Sequence, residues 1–329
     1  MTRLTKVEVR RLFSRRLVVL AMVAGLLVSA LALVGVWQQS RPMSAAEQRQ
    51  AAAYYEQAVA DWEENGETWF ADCLDAQAAE REATGTDVDY GCQNAPPQEA
   101  DFYRAPPPLE QTMPSLLSMH ANLLIFLALL VGATATAAEL STGALGTWLT
   151  FEPRRLRVYG SKVLASGAGV LPFAVLAIVV VVVGAWAIAA AVGQAGGMTG
   201  AAWSDTRWTA GRVAAITAVS AMVGAALGIL LRHTAAVLGA VVGYVVVVEG
   251  ILGGLFRGTQ PWLLTTNIRS WTDNGTTYPV EDCTTDGTGT MCSYVEHTLS
   301  FGHSVAYLLA LAAVLIAVVA LVFRRRDVS

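Results

Sequence analysis

Six long apolar blocks constrain this sequence more than any other feature does. Each block contains 19 to 31 residues, and an α-helix needs about 20 apolar residues to cross the hydrocarbon core of a bilayer. We therefore predict an all-α polytopic membrane protein. The predicted membrane-spanning segments are 17–37, 116–138, 163–193, 213–231, 234–256 and 304–323.

The composition agrees with a membrane protein and argues against other classes. Only 15% of the 329 residues are charged, whereas soluble domains average about 25%, so the chain has too few charges to cover a soluble surface. The first block is not a cleavable signal peptide, because the polar run 38–41 follows it without a small-residue cleavage site. The third block exceeds one crossing, so we expect Pro172 to kink it or its last residues to extend beyond the membrane.

The charges outside the blocks predict the orientation. Six spans leave both termini on one side, which carries 14 of the 22 Lys and Arg residues and four acidic residues, a net charge of +10. The opposite side carries 8 basic and 21 acidic residues, a net charge of −13. Because basic residues accumulate in cytoplasmic loops, we predict that both termini are cytoplasmic.

This orientation divides the rest of the chain into loops and domains. We predict that segment 1–16 is a cytoplasmic amphipathic helix that lies on the inner leaflet. Alternatively, its basic residues only set the orientation of the first span. We predict one or two helices over residues 44–83 of the first outer region. The acidic residues of this region either form a solvated surface or attract cationic substrates. The predicted regions between spans are the extracellular domain 38–115, the cytoplasmic loop 139–162, the outer loop 194–212, the outer segment 257–303 and the tail 324–329.

All four cysteines fall in the predicted outer regions. Pairing within each region, Cys73 with Cys92 and Cys283 with Cys292, is the simplest of the three possible arrangements. Each disulfide would close a short loop on the oxidising side and contribute roughly 3 kcal/mol to local order. Free thiols are the alternative.

The sequence lacks the motifs of a membrane enzyme. Its two lysines, Lys6 and Lys162, do not follow a GxxxxG loop, so we predict no P-loop and no ATP site in this chain. No HExxH motif is present, the four histidines are scattered, and no predicted span contains Asp. We therefore predict no catalytic residue, no metal, no cofactor and no nucleic-acid partner for this chain.

Glu249 is the one ionisable residue deep in an apolar block. Burying a charged carboxylate at that depth costs free energy. The side chain must therefore face a partner, face a cavity or take up a proton. It is either a site in a translocation pathway or an interhelical hydrogen-bond acceptor, and Arg257 is a possible partner two turns later. Small residues four apart mark close helix packing within one subunit or a dimer face, at Gly224–Gly228, Gly239–Gly243, Gly250–Gly254 and Gly254–Gly258.

The loop 139–162 has the composition of a docking element. Ser141 or Thr142 stands near the start of a short predicted helix, and Pro153 ends it. We expect the apolar side chains of this helix to be exposed and flanked by basic residues, which suits insertion into the groove of a partner or, alternatively, contact with the inner leaflet. The apolar residues are Leu145, Trp148, Leu149 and Phe151, and the basic ones are Arg154, Arg155 and Arg157.

This loop resembles the signature of ABC-2 type permeases, the membrane subunits of ABC exporters. The matching run is Glu139, Gly143, Leu145, Thr147–Thr150, Pro153–Arg155 and Lys162, in that order. The basic N-terminal segment and the six-span layout, with an outer segment between spans five and six, are also similar to that family. The cysteine-bearing domain after the first span occurs in only part of the family and leaves the substrate class open.

The resemblance implies a set of roles. Residues 139–153 would be a coupling helix that docks on an ATP-binding subunit, segment 1–16 a connecting helix, and 261–271 re-entrant helices that help to close the pathway. Two ATP-binding subunits would bring ATP and Mg, beside a second permease subunit, identical or related, in the lipid of a bacterial plasma membrane. The alternative is an ATP-independent channel or accessory protein. The implied coupling residues are Glu139, Gly143, Trp148, Leu149, Phe151, Pro153, Arg154 and Arg155.

Overall fold

A computed structural model describes residues 2–85, 89–256, 258–286 and 289–325. The chain divides into two compact units, Gln38–Pro107 and the remainder, Met1–Trp37 with Pro108–Ser329. Arg257 and the tail beyond Arg325 are outside the described residues.

Within the described residues, six helices are long and apolar enough to cross a membrane, as the sequence predicts. Their order in the chain matches the six predicted blocks. They are α2 (Arg16–Ser40), α5 (Leu109–Ser141), α7 (Arg155–Ala191), α8 (Gly200–Leu231), the composite fifth span (Thr234–Leu255) and α12 (Phe301–Arg325).

Several of these helices are longer than the apolar blocks. The third helix, α7, begins at Arg155 rather than at residue 163, directly after the break at Pro153, and contains Pro172 inside its 37 residues. The polar residues before the apolar block belong to the same helix, because no proline lies between Pro153 and the start of that block. A short helix, α1 (Thr2–Ser14), precedes the first span and corresponds to the predicted amphipathic segment.

The fifth span changes its helical type along its length. It begins as α9 (Thr234–Gly243), continues as a π-helical segment (Tyr244–Leu252) and ends as α10 (Gly253–Leu255). Helices with i→i+5 hydrogen bonds are rare and usually short, and they often mark functional sites. This segment therefore distinguishes the fifth span from the other five.

Small residues let α5 and α8 approach closely. A side chain at Gly224 would overlap the backbone oxygen of Leu129, and one at Gly132 would overlap that of Ala221. The Thr136 hydroxyl donates a hydrogen bond to the Ala225 carbonyl across this contact, at 2.9 Å. The Gly224–Gly228 pattern thus packs within one subunit, as one of the two alternatives predicts.

The unit Gln38–Pro107 contains one long helix, α3 (Ala45–Thr84), and a single turn, α4 (Glu99–Phe102). Ser44 and Glu47 form a capping box at the start of α3, and Gly85 ends it in the left-handed conformation. The Cys73–Cys92 disulfide joins α3 to the chain that follows, with 5.9 Å between the Cα atoms. The predicted helical region is therefore one helix rather than two.

The segment after the fifth span corrects the all-α prediction. A helix, α11 (Leu264–Asp273), is followed by an antiparallel hairpin of β1 (Thr276–Asp286) and β2 (Gly289–Leu299). Cys283 lies directly opposite Cys292, and the two form a disulfide. The hairpin follows Asn274 and Gly275, whose positive φ angles end α11. Its β-branched and aromatic residues favour strands, a signal that the polar composition of the segment obscured.

Candidate functional site

The backbone along 139–155 breaks twice, and each break has a physical cause. The fifth helix, α5, ends at Ser141, and Gly143 turns the chain with a φ of 70°. A separate helix, α6 (Ala144–Phe151), follows. Glu152 is extended, as expected for a residue before proline, and α7 starts two residues after Pro153. We call the end of the bundle that carries α6 the α6 side.

The helix α6 is present as predicted, but its exposure differs from the prediction. Leu145 is buried, and Trp148 and Leu149 are half-buried, so only Phe151 of the four apolar residues is largely exposed, at 80%. Residues 145, 148 and 149 share one face of an α-helix, and this face packs into a cluster with α7, α8 and α12. Phe151 lies off that face.

The start of α6 is also different from the prediction. The hydroxyls of Ser141 and Thr142 both donate to the Ala138 carbonyl, at 3.2 and 2.8 Å, and therefore serve the end of α5. Gly143 occupies the N-cap position of α6 without a side-chain hydrogen bond. The left-handed turn, rather than a hydroxyl cap, separates the two helices.

Behind α6, four charged side chains form a cluster that joins three helices. Lys162 of α7 donates hydrogen bonds to Glu8 of α1, at 3.0 Å, and to Glu139 of α5. Arg15, between α1 and α2, donates to the other oxygen of Glu139 at 2.6 Å. The two positive and two negative charges of this inner charge cluster (Glu8, Arg15, Glu139 and Lys162) balance each other.

Burial makes the inner charge cluster sensitive to the loss of any one member. Glu8, Glu139 and Lys162 are each at most 8% exposed. A buried ion pair contributes little net stability, but removing one partner leaves an uncompensated charge that costs about 3–5 kcal/mol. The cluster therefore holds α1, α5 and α7 in one arrangement.

The cluster changes the interpretation of Glu139. The resemblance implies that Glu139 contacts an ATP-binding subunit, but both of its carboxylate oxygens are engaged inside the bundle. Its carboxylate therefore joins α5 to Arg15 and to α7, and its role in contacting a partner stays a prediction. Glu8 was not among the predicted site residues, although it is the only acidic residue within the basic segment 1–16.

A groove lies between α1, the end of α5 and α6. Its volume is about 640 Å³. The Arg11 guanidinium stacks over the Trp148 ring, 4.2 Å from its centre, and links α1 directly to α6. The other side chains that line the groove include Arg15, Glu139, Thr147 and Phe151.

The remaining predicted coupling residues lie at the end of α6 and just after it, and we call Phe151, Pro153 and Arg154 the exposed edge of α6. Phe151, Pro153 and Arg154 are exposed, and Arg155 is partly buried. Arg157 lies 3.9 Å from Glu152, which orients the chain just after Pro153. Aromatic residues and arginine are both enriched at protein interfaces.

Glu249 lies far from this site in the chain and contacts a different helix. Its carboxylate accepts hydrogen bonds from the backbone N–H groups of Leu264, at 2.7 Å, and Thr265, at 3.2 Å, and from the Thr265 hydroxyl. This geometry supports the hydrogen-bond alternative, with the backbone of α11 as the donor. Its place in a translocation pathway stays a prediction.

The hairpin brings Glu281 close to the sulfurs of Cys283 and Cys292, within 4.8 Å. Both sulfurs belong to the disulfide and have no thiolate to offer a metal ion. The arrangement is therefore structural.

The sequence matches the model of a family described as ABC-2 family transporter protein, over residues 3–328. No curated protein and no solved structure matches the chain.

Proposed function

The chain belongs to the ABC-2 transporter family, and we propose that it is the permease subunit of an ABC exporter. It would form the membrane pathway, while a separate ATP-binding subunit hydrolyses ATP. The match over residues 3–328 carries this proposal, because it includes the six spans of a multi-pass membrane protein together with α6. ATP and Mg would be bound by the partner.

The α6 side suits the transmission of force from such a partner. Leu145 anchors α6 in the apolar cluster, and the Arg11–Trp148 contact ties it to α1. Movement of the exposed edge would therefore move α7 and α12 through packed side chains, and α1 through the stacked guanidinium. The inner charge cluster joins α1 to α5 and α7 directly behind this point.

The docking surface we propose is the exposed edge of α6 together with the groove beside α1. Phe151 would insert into the partner, and Arg154 would pair with an acidic group at the rim. The α6 side would be cytoplasmic, in accord with its net charge of +10. The membrane would be a bacterial plasma membrane.

A second permease subunit, identical or related, would cover the fifth span. Only 6% of an 18-residue apolar stretch of this span is buried within the chain, compared with 50% for α8. Gly239 and Gly243 have no described atom within 4 Å of where a side chain would begin. Uncovered small residues on an apolar helix suit close packing against another membrane helix or lipid.

The proposal is tested with the chain co-expressed with its candidate ATP-binding subunit. The double variant Phe151→Ala, Arg154→Ala is expected to lose at least tenfold in co-purification yield and in permease-dependent ATPase activity. The matched control is Arg207→Ala, Trp208→Ala at the start of α8, where Trp208 is 71% exposed. Equal co-purification and ATPase activity for the two variants would contradict docking at α6.

A further inference from the structure

The fifth span is fastened to α11 by its one carboxylate. Glu249 accepts hydrogen bonds from the N–H groups of Leu264 and Thr265 and from the Thr265 hydroxyl. Its carboxylate therefore caps the first turn of α11. A carboxylate at a helix N-terminus is favourable because the unpaired N–H groups carry partial positive charge. Next to this contact, the Leu263 side chain packs over Gly253, where a Cβ atom would come within 3.0 Å of it. We call these two contacts the outer latch.

The rest of α11 is attached to other helices. The Trp271 indole donates to the Arg212 carbonyl of α8 at 2.8 Å, and Ser118 of α5 hydrogen-bonds to Asp273. Tyr307 of α12 donates to the Trp262 carbonyl, just before α11, at 2.7 Å. The segment 260–273 is therefore fixed to α5, α8 and α12, and the outer latch is where the fifth span joins it.

The helical type of the fifth span gives the outer latch a means of release. Glu249 lies inside the π-helical segment Tyr244–Leu252, and glycines at 250, 253 and 254 follow it. Because π- and α-helices differ in the number of residues per turn, refolding this segment as α-helix would rotate Glu249 relative to α11. Glycine lowers the barrier to such a backbone change.

We propose that Glu249 is a positioning residue that holds the fifth span against α11 in the closed state, and that this contact separates when the pathway opens. The proposal rests on the function proposed above and adds that the fifth span moves during the transport cycle. A backbone-capping contact suits this role, since water can replace the N–H donors when the helices part.

The test uses a reporter cysteine at the outer latch. Leu263→Cys introduces the single free thiol, because the four native cysteines are paired. It shortens the side chain over Gly253 but keeps every donor to Glu249, so this chain is the baseline for the Glu249 contact alone. Leu263 is only 7% exposed, so a membrane-impermeant maleimide should label this cysteine slowly. Adding Glu249→Ala is expected to speed labelling about tenfold, the factor that corresponds to one hydrogen bond to a charged group. The matched control is Glu296→Ala, which alters an exposed carboxylate on β2.

A second arm separates a moving contact from a static one. In the complex with the ATP-binding subunit, ATP turnover is expected to raise the labelling of Leu263→Cys several-fold when Glu249 is present. With Glu249→Ala, labelling should be fast with or without ATP. Identical labelling with and without ATP, in a complex that hydrolyses ATP, would overturn the proposal.

The two proposals fail in different ways. If Glu249→Ala leaves the labelling rate of the isolated chain unchanged, Glu249 does not hold the outer latch, whatever the result in the complex. If no ATP-binding subunit co-purifies with the chain, the proposed function is contradicted, and so is the ATP-driven separation of Glu249 from α11. Faster labelling of the isolated Glu249→Ala chain would then show a static contact only.

Discussion

Glu139 and Glu249 are carboxylates in apolar helices, and the protein stabilises them in different ways. Glu139 is held by two cationic side chains, Lys162 and Arg15, which come from other parts of the bundle. Glu249 is held by the N-terminal backbone of α11 and by the hydroxyls of Thr265 and Tyr244. A buried ion pair fixes its partners, because separating them leaves charges in a medium that solvates them poorly. A helix cap can be replaced by water, so the second arrangement is the easier one to open.

The largest expected effect comes from removing Lys162, the cation that contacts both Glu8 and Glu139. Lys162→Met leaves Glu139 buried with Arg15 alone and Glu8 buried with Arg11 alone, 3.8 Å away. We expect a loss of about 3–5 kcal/mol in stability, measured as a lower midpoint of thermal unfolding in detergent. The matched control is Lys6→Met, which changes the only other lysine, an exposed one. Equal midpoints for the two variants would show that the inner charge cluster does not hold the helices.

A pair of isosteric changes compares the two carboxylates directly. Glu139→Gln leaves Lys162 and Arg15 undercompensated and is expected to cost about 3 kcal/mol. Glu249→Gln keeps an oxygen that can accept the Leu264 N–H group, so its cost should be near 1 kcal/mol. The measurement is thermal unfolding of both variants under one set of conditions. A larger loss for Glu249→Gln would reverse the comparison.

The smallest effect concerns a third carboxylate, Glu47, which caps α3 at the protein surface. Hydrogen bonds from the Ser44 backbone N–H and from the Arg41 side chain lower the pKa of Glu47 from 4.5 to about 2. Because the pKa is depressed in the folded state, the contribution to stability is complete above pH 4.5 and is lost as the pH falls towards 2. An NMR titration of the Glu47 carboxyl carbon should give a midpoint near 2, and Arg41→Ala should raise it. A midpoint near 4.5 in the unmodified chain would exclude the cap.

The sequence predicts the parts of this fold that depend on local chemistry. Runs of apolar residues suffice for the six spans, and Gly143 and Pro153 delimit α6 because each restricts the backbone by itself. The burial of Leu145 was missed, since eight residues contain too few turns to show which face is covered. The hairpin was missed because its turn-rich composition resembles that of a loop.

The partners of the carboxylates could not be predicted in the same way. Lys162 meets Glu8 across 154 residues of sequence, a distance at which no spacing rule applies. Glu249 meets backbone N–H groups, which every non-proline residue possesses and which leave no mark in the sequence. The position of α11 decides this contact, and that position depends on Trp271 and Tyr307 packing far from Glu249 in the chain.

Cross-linking from α6 tests most directly whether this side receives the ATP-binding subunit. Thr150 is exposed on α6 next to Phe151, so a chain with Thr150→Cys carries one free thiol there and keeps the Phe151 ring. A chain with Trp208→Cys carries one free thiol on α8, where Trp208 is 71% exposed. A thiol- and amine-reactive cross-linker added to each complex should join the ATP-binding subunit to the Thr150→Cys chain alone. Cross-linking through Trp208→Cys with none through Thr150→Cys would contradict the account.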